Sequence, residues 1–215
     1  MFQPNPKGKK YSEFKSNALL AGFNALLGEV SPKLRSVNID WDQNTVYLYF
    51  YFDGKVTEED HESAEMIATE TIAKFGEHVL ETKIVRIDFP KAIPNTGIPI
   101  FHRKENDVEQ DEKRSILEQA IKGTYSPRVL ILLGIMKGLL GTITPNLRAI
   151  TFDSGNALFF YYDGDISDID RENVASIANE VSLEVSYKIK VDILKWDYPK
   201  PIPSKGVEFI YLRRE

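Results

Sequence analysis

The sequence predicts an α+β fold built from two tandem copies of one α-β-β-α-β-β module, related by a pseudo-twofold. Three observations predict it. The stretch LYFYFDGKVTEEDHESAEMIATE around Asp53 returns as LFFYYDGDISDIDRENVASIANE around Asp163, 110 residues further on. RIDFPKAIPNTGIPIFHRKE, ending at Glu105, returns as KWDYPKPIPSKGVEFIYLRRE, ending at Glu215. Within each copy the apolar spacing switches between helical and strand periods. A period this long suits a small domain rather than a solenoid repeat, and the natural division is 1–108 and 109–215.

Each element has its own signal. Ser12 is placed to cap a first helix whose Leu19, Leu20, Phe23, Leu26 and Leu27 recur at helical spacing, with Gly28 as the terminating glycine. Ser126-Pro127, then Leu132, Leu133, Met136, Leu139, Leu140 and Gly141, repeat that arrangement. SPKLR (31–35) and TPNLR (144–148) turn into a first strand, 36–40 or 149–152. Turns at Asp42-Gln43-Asn44 and Asp153-Ser154-Gly155-Asn156 lead to the aromatic second strands, 45–52 and 157–162, which Asp53-Gly54 and Asp163-Gly164 break. Thr57 with Asp60, and Ser167 with Asp170, have the spacing of a capping box opening the second helix. Third strands are predicted at 83–89 and 190–198. Proline-rich loops (PKAIPNTG, PKPIPSKG) then precede last strands at 98–102 and 207–212. The charge-dense 103–114 reads as the linker, with a short helix over 111–122. Strand order stays open: one continuous sheet and two separate sheets both fit.

Composition narrows the function classes. With 215 residues, 42% hydrophobic and 27% charged, the chain reads as a soluble globular protein. The N-terminal MFQPNPKGKKYSEF has no apolar core of a signal peptide. The greasiest run, 129–140, is too short to span a bilayer and is interrupted by Lys137 and glycines. The absence of cysteine removes disulfides, thiolate nucleophiles and Cys-based zinc sites, and fits the cytoplasm. Net charge is −5, shared as −3 in 1–108 and −2 in 109–215, which disfavours nucleic acid and anionic membrane and favours a basic partner.

No catalytic constellation stands out. His61, His78 and His102 show no metal-ligand spacing, and Arg171 and Tyr211 take the places of His61 and His102 in the second copy. Gly134, Gly138 and Gly141 lie on an apolar helix and suit close helix packing better than a phosphate cradle. Acids are the patterned polar class. Glu58, Glu59, Asp60, Glu62, Glu65 and Glu70 crowd the second helix with no Lys or Arg among them, and Asp163, Asp165, Asp168, Asp170 and Glu172 crowd its counterpart. Acids in a first turn complement the helix dipole, but like charges at i,i+4 repel, so the excess points to a surface that meets a basic protein. Tyr47, Tyr49 and Tyr51 share one face of the second strand and suit either internal packing or an interface. The repeated Asp-Phe/Tyr-Pro-Lys reads as a stiff corner or edge guard.

The stretches YFDGKVTEEDHESAEMIATETIAKF, IVRIDFPKAI and FHRKE, with YYDGDISDIDRENVASIANEV, LKWDYPKPI and YLRRE, resemble bacterial immunity proteins of the contact-dependent growth inhibition and polymorphic-toxin type, here duplicated. The resemblance implies a non-enzymatic protein without a cofactor. It would bind a cognate toxin domain, most plausibly a basic ribonuclease or other nuclease, and block its active site or substrate surface. The resemblance assigns no contact residues; the acid-rich helix starts and the tyrosine face make Glu58, Glu59, Glu62, Asp165 and Asp168 the expected contacts, with Tyr49 and Tyr51 as anchors. The rival readings are a small-molecule or enzymatic module using the cleft between the copies, with His61 and His102 as its best residues, and a homodimeric regulatory protein.

Overall fold

A computed structural model describes residues 8–76, 78–105, 107–121, 125–153, 156–185 and 187–215. The first copy comprises α1 (Gly8–Ala25), β1 (Leu34–Trp41), β2 (Thr45–Phe52), α2 (Glu58–Ile72), β3 (Val79–Arg86) and β4 (Ile98–His102). An added helix, α3 (Asp107–Ala120), leads to the second copy: α4 (Pro127–Leu139), β5 (Leu147–Asp153), β6 (Ala157–Tyr162), α5 (Asp168–Val185), β7 (Lys190–Lys195) and β8 (Val207–Leu212). The α+β class and the duplicated module are as the repeat predicts.

The strands form two separate four-stranded sheets, ordered β3-β2-β1-β4 and β7-β6-β5-β8. The β2–β3 and β6–β7 pairs are parallel, each joined by a helical crossover, and the other pairs are antiparallel. Period-2 alternation sets the faces. Val46, Leu48, Phe50 and Phe52 point into the helix-covered core, at most 3% exposed, while Tyr47 and Tyr49 on the opposite face are half-buried.

The capping boxes form as read. Thr57 Oγ1 accepts from the Asp60 backbone N–H at 3.3 Å, and Asp60 Oδ2 accepts from the Thr57 N–H at 3.0 Å. Ser167 and Asp170 repeat the exchange at 3.1 and 2.9 Å. Gly134 and Gly138 do permit close packing: a Cβ at either would lie 3.0 Å from the Cα of Val181 or Ile177 on α5.

Four expectations need correction. Ser12 is not a cap, because α1 is already under way at Gly8. The third strands end at Arg86 and Lys195, short of the aromatic-proline pairs, because their parallel partners end at Phe52 and Tyr162. Beyond them Asp88 and Asp197 turn to accept the Gly54 and Gly164 N–H groups, each at 2.8 Å. The linker is not merely a charged connector: α3 begins at Asp107 and buries Lys113, Leu117 and Ala120. Finally, β4 sets His102 opposite Ser36 and β8 sets Leu212 opposite Ala149, so Leu212 rather than Tyr211 is the counterpart of His102. Of the predicted turns and linker, Asn106, 122–124 and 154–155 lie outside the described residues.

The pseudo-twofold is written in reciprocal hydrogen bonds across the seam. Gly28 N–H donates to the Leu212 carbonyl and Gly141 N–H to the His102 carbonyl, both at 2.8 Å. Arg214 N–H donates to the Val30 carbonyl at 3.2 Å and Lys104 N–H to that of Ile143 at 3.3 Å. Contacts that appear twice with exchanged roles define an isologous interface, here within one chain. Gly28 and Gly141 combine two tasks: their positive φ (81° and 70°) ends each first helix, and their N–H groups then face the other copy.

Candidate functional site

The motifs kept in both copies converge on one structural brace. Arg35, 0% exposed, forms a two-pronged pair with Glu105, and its Nη1 donates to the carbonyls of Ile87 (2.8 Å) and Lys91 (2.9 Å). Arg148 does the same with Glu215 (2.5 and 2.6 Å) and with the carbonyls of Trp196 and Lys200. The rings of Phe89 and Tyr198 lie 5.8 and 5.7 Å from these guanidiniums, each beside a cis proline bond. Arg103 bridges Asp53 and Glu105, as Arg213 bridges Asp163 and Glu215. The Arg86 side chain, with the Gly54 N–H, pulls the Asp88 carboxyl down to about 2. The repeated SPKLR/TPNLR, Asp-Gly, proline-corner and Arg-x-Glu segments therefore build, once in each copy, an ion-pair network around a buried arginine that fastens the corner loop.

The acids divide into two groups. Asp60 and Asp170 are buried caps. Burial alone would raise the Asp60 carboxyl, but the Thr57 donors, Lys33 and Ser31 outweigh it and hold it low. Glu58, Glu59, Glu62, Glu65 and Glu70 are exposed, and among the described residues none of their carboxylates forms an ion pair. The start of α2 is drawn to the seam by Arg214 of the other copy, which donates to the Glu59 carbonyl (3.0 Å), Ser63 Oγ (2.8 Å) and Asp60 Oδ1 (3.2 Å). Lys104 repays this on α5 by donating to Asn173 Oδ1 at 3.3 Å. Both acidic helix starts therefore border the seam, with Glu58 and Glu59 on one side and Asp168, also exposed, on the other. Asp165 is exposed but engaged by Lys195 at 2.8 Å, which holds its carboxyl low.

The tyrosine face is only partly wet. Tyr47 donates its hydroxyl to Asp42 at 2.9 Å, and the Lys83 ammonium sits 5.9 Å from the ring centre of Tyr47 and 5.3 Å from that of Tyr49. Burial, then Asp40, pushes the Tyr49 hydroxyl up. Tyr51 is enclosed at 3% exposure, so Tyr49 alone of the two expected anchors presents itself to solvent. The equivalent face of the second copy carries Ala157, Phe159 and Tyr161, with Tyr161 edge-on to Trp196.

His61 is exposed on α2, whereas His102 is 0% exposed beneath α3 with neither ring nitrogen bonded. Burial pushes the His102 ring down to about 4. The hollow on the seam, lined by Val30, Phe101, Arg103 and their counterparts Ile143, Tyr211 and Arg213, is about 30 Å³, room for roughly one water. Lys137, read from the sequence only as an interruption of the apolar run, is 7% exposed and held by Glu180 (2.7 Å), Glu118 and Glu184 (3.3 Å each), so that α3, α4 and α5 are tied together. Its signal was a lone lysine in an apolar helix. No group of three or more His, Asp or Glu among the described residues is placed to hold a metal ion, and no described helix is long and apolar enough to cross a membrane.

No curated protein matches this chain. The family model described as MafI2 immunity protein matches it twice, over residues 15–105 and 128–215, the two copies that the repeat delineates. The chain therefore belongs to the MafI2 immunity protein family, with the family's unit present in duplicate.

Proposed function

We propose that the protein neutralises a cognate toxin domain, a basic nuclease of the ribonuclease class, by binding it one to one in the cytoplasm and covering its active site or substrate surface. Family membership supports neutralisation of a toxin. The observation that supports the kind of target is the exposed set Glu58, Glu59, Glu62, Glu65 and Glu70, whose carboxylates form no ion pair among the described residues. Such uncompensated acids repel one another within the free protein, and they gain most from a partner that brings Lys and Arg to them, as a phosphate-binding surface does. Glu58, Glu59 and Glu62, with Asp168 across the seam, act as steering contacts. Tyr49 serves as an anchor on the sheet face, beside the enclosed Tyr51, and Asp165 contributes only if its pair with Lys195 opens. The test is charge reversal. Replacing Glu58, Glu59 and Glu62 together by Lys slows association with the toxin domain and flattens its dependence on salt. An unchanged association rate removes α2 from the interface.

A further inference from the structure

β3 is an edge strand in the interior of the chain, with β2 as its neighbour in the sheet. The two pair over eight residues, Val79–Arg86, without a shift in register, and β3 holds no proline. The Val79 N–H donates to the Asn44 carbonyl (2.8 Å), and the Ile87 N–H just beyond donates to the Phe52 carbonyl (2.9 Å). Main-chain groups alternate in direction along a parallel strand, so those of 79, 81, 83, 85 and 87 turn toward β2. Those of Leu80, Thr82, Ile84 and Arg86 turn outward, and among the described residues nothing bonds to them. Natural sheets guard such edges. The far edge of the same sheet, β4, carries Pro99 and has α3 packed along it. On β3 six of the eight residues are exposed, among them Val79 at 62% and Val85 at 38%. Its mid-strand guard is Lys83.

The order of residues on this strand is self-complementary. Reversed about Thr82, VLETKIV (79–85) sets Val79 against Val85, Leu80 against Ile84 and Glu81 against Lys83. We infer that β3 is a self-association edge: two copies of this chain pair their β3 strands antiparallel about a twofold axis at Thr82. The outward groups of 80, 82 and 84 then bond to those of 84, 82 and 80 in the other chain. Val79 with Val85, and Glu81 with Lys83, fall at the positions between those bonds, where side chains come closest. Each pair occurs twice. The two exposed valines cover one another, and Glu81 and Lys83, which form no ion pair among the described residues, find one. Charge selects both register and occupant. About Lys83, ammonium would meet ammonium and Glu81 would meet Val85; about Ile84, Lys83 would meet Val85. A second β3 in the Thr82 register turns the lysine that deters a foreign strand into a contact. The equivalent edge, β7, has six residues, and about its middle outward residue, Ile193, Asp192 would meet Leu194 and Val191 would meet Lys195. Pairing through β3 joins the two first-copy sheets into one, ordered β4-β1-β2-β3-β3-β2-β1-β4. It does not depend on toxin binding and leaves the ratio of one chain per toxin unchanged.

Sedimentation equilibrium of the full-length chain over a concentration series tests this, with charge reversals on the edge. The wild type should pass from one chain to two as concentration rises. Glu81→Lys alone opposes Lys to Lys, Lys83→Glu alone opposes Glu to Glu, and each should weaken association at least about tenfold. An equimolar mixture of the two variants should recover it, because the mixed pair again sets acid against base at both positions. A wild type that remains a single chain at every concentration overturns the inference. So does a dimer that both reversals leave intact, because its interface lies elsewhere, and so does a mixture that associates no better than its components. Should a reversal disturb the fold, cross-linking decides, since the chain has no cysteine of its own. Thr82→Cys, on the axis, should oxidise to a covalent dimer at least about tenfold faster than Leu183→Cys, 66% exposed on α5. Equal rates overturn the inference.

Discussion

Replacing His102 by Leu, the residue the second copy uses at the same place, should stabilise the protein, and by an amount that depends on pH. His102 is 0% exposed and neither ring nitrogen has a hydrogen-bond partner. A buried polar group left unpaired costs about 1–3 kcal/mol, so the variant gains roughly that much at pH 7.5. The charged groups around the ring are Glu105, Lys113, Arg35 and Arg103, and Glu105 is already committed to Arg35. Burial, above all, lowers the ring from 6.5 to about 4. The folded protein therefore keeps the ring neutral through a range in which the unfolded chain takes up a proton. Stability from this site is complete above about 6.5 and is lost as pH falls toward 4, by at most about 1.4 kcal/mol per unit and on the order of 3 kcal/mol in total. Urea titrations followed by the fluorescence of Trp41 and Trp196 at pH 7.5, 6.5, 5.5 and 4.5 would measure it, because titrations common to both proteins cancel in the difference. The gap between variant and wild type should widen steadily below pH 6.5. A gap that stays constant with pH would refute the reasoning, because it would mean that the ring titrates normally or is hydrated.

Three further outcomes follow from the same geometry. Arg148→Met leaves the Trp196 and Lys200 carbonyls without their donor, while Glu215 keeps Arg213, and should cost about 1–3 kcal/mol by urea denaturation. Gly138→Ala forces a methyl to within 3.0 Å of the Ile177 Cα and should cost about 1–3 kcal/mol, seen as a lower melting temperature. Asp60→Ala removes a cap that also receives Arg214 and Lys33 and should cost about 2 kcal/mol, whereas Glu58→Ala, exposed and unpaired, should change stability by less than about 0.5 kcal/mol.

What the sequence disclosed, and what it hid, follows the range of the interactions. The Thr57–Asp60 box, the glycine-ended first helices and the two faces of β2 are local patterns, and they were legible. α3 was only half legible, because one of its buried positions is Lys113, whose amine is satisfied by Asn95 and Ile93 eighteen and twenty residues upstream. The seam joins backbone groups, which leave no trace in side-chain identity, with Arg214 and Lys104, whose targets lie on the other copy at long sequence separation. Exposure of Glu58, Glu59, Glu62 and Asp168 followed from helical spacing. The pair between Asp165 and Lys195 and the enclosure of Tyr51 depend on which strand lies next to β6 and on what covers sheet 1, and periodicity carries neither. The counterpart of His102 was legible in the repeat itself, since FHRKE over YLRRE sets His102 on Leu212, as the strand pairing does.

The measurement that bears most directly on the central claim is a titration of the toxin domain encoded beside this protein, with its nuclease activity followed as the immunity protein is added. The account predicts a linear fall to zero at one immunity chain per toxin. Full activity at a large excess, or a loss that needs many chains per toxin, would contradict it.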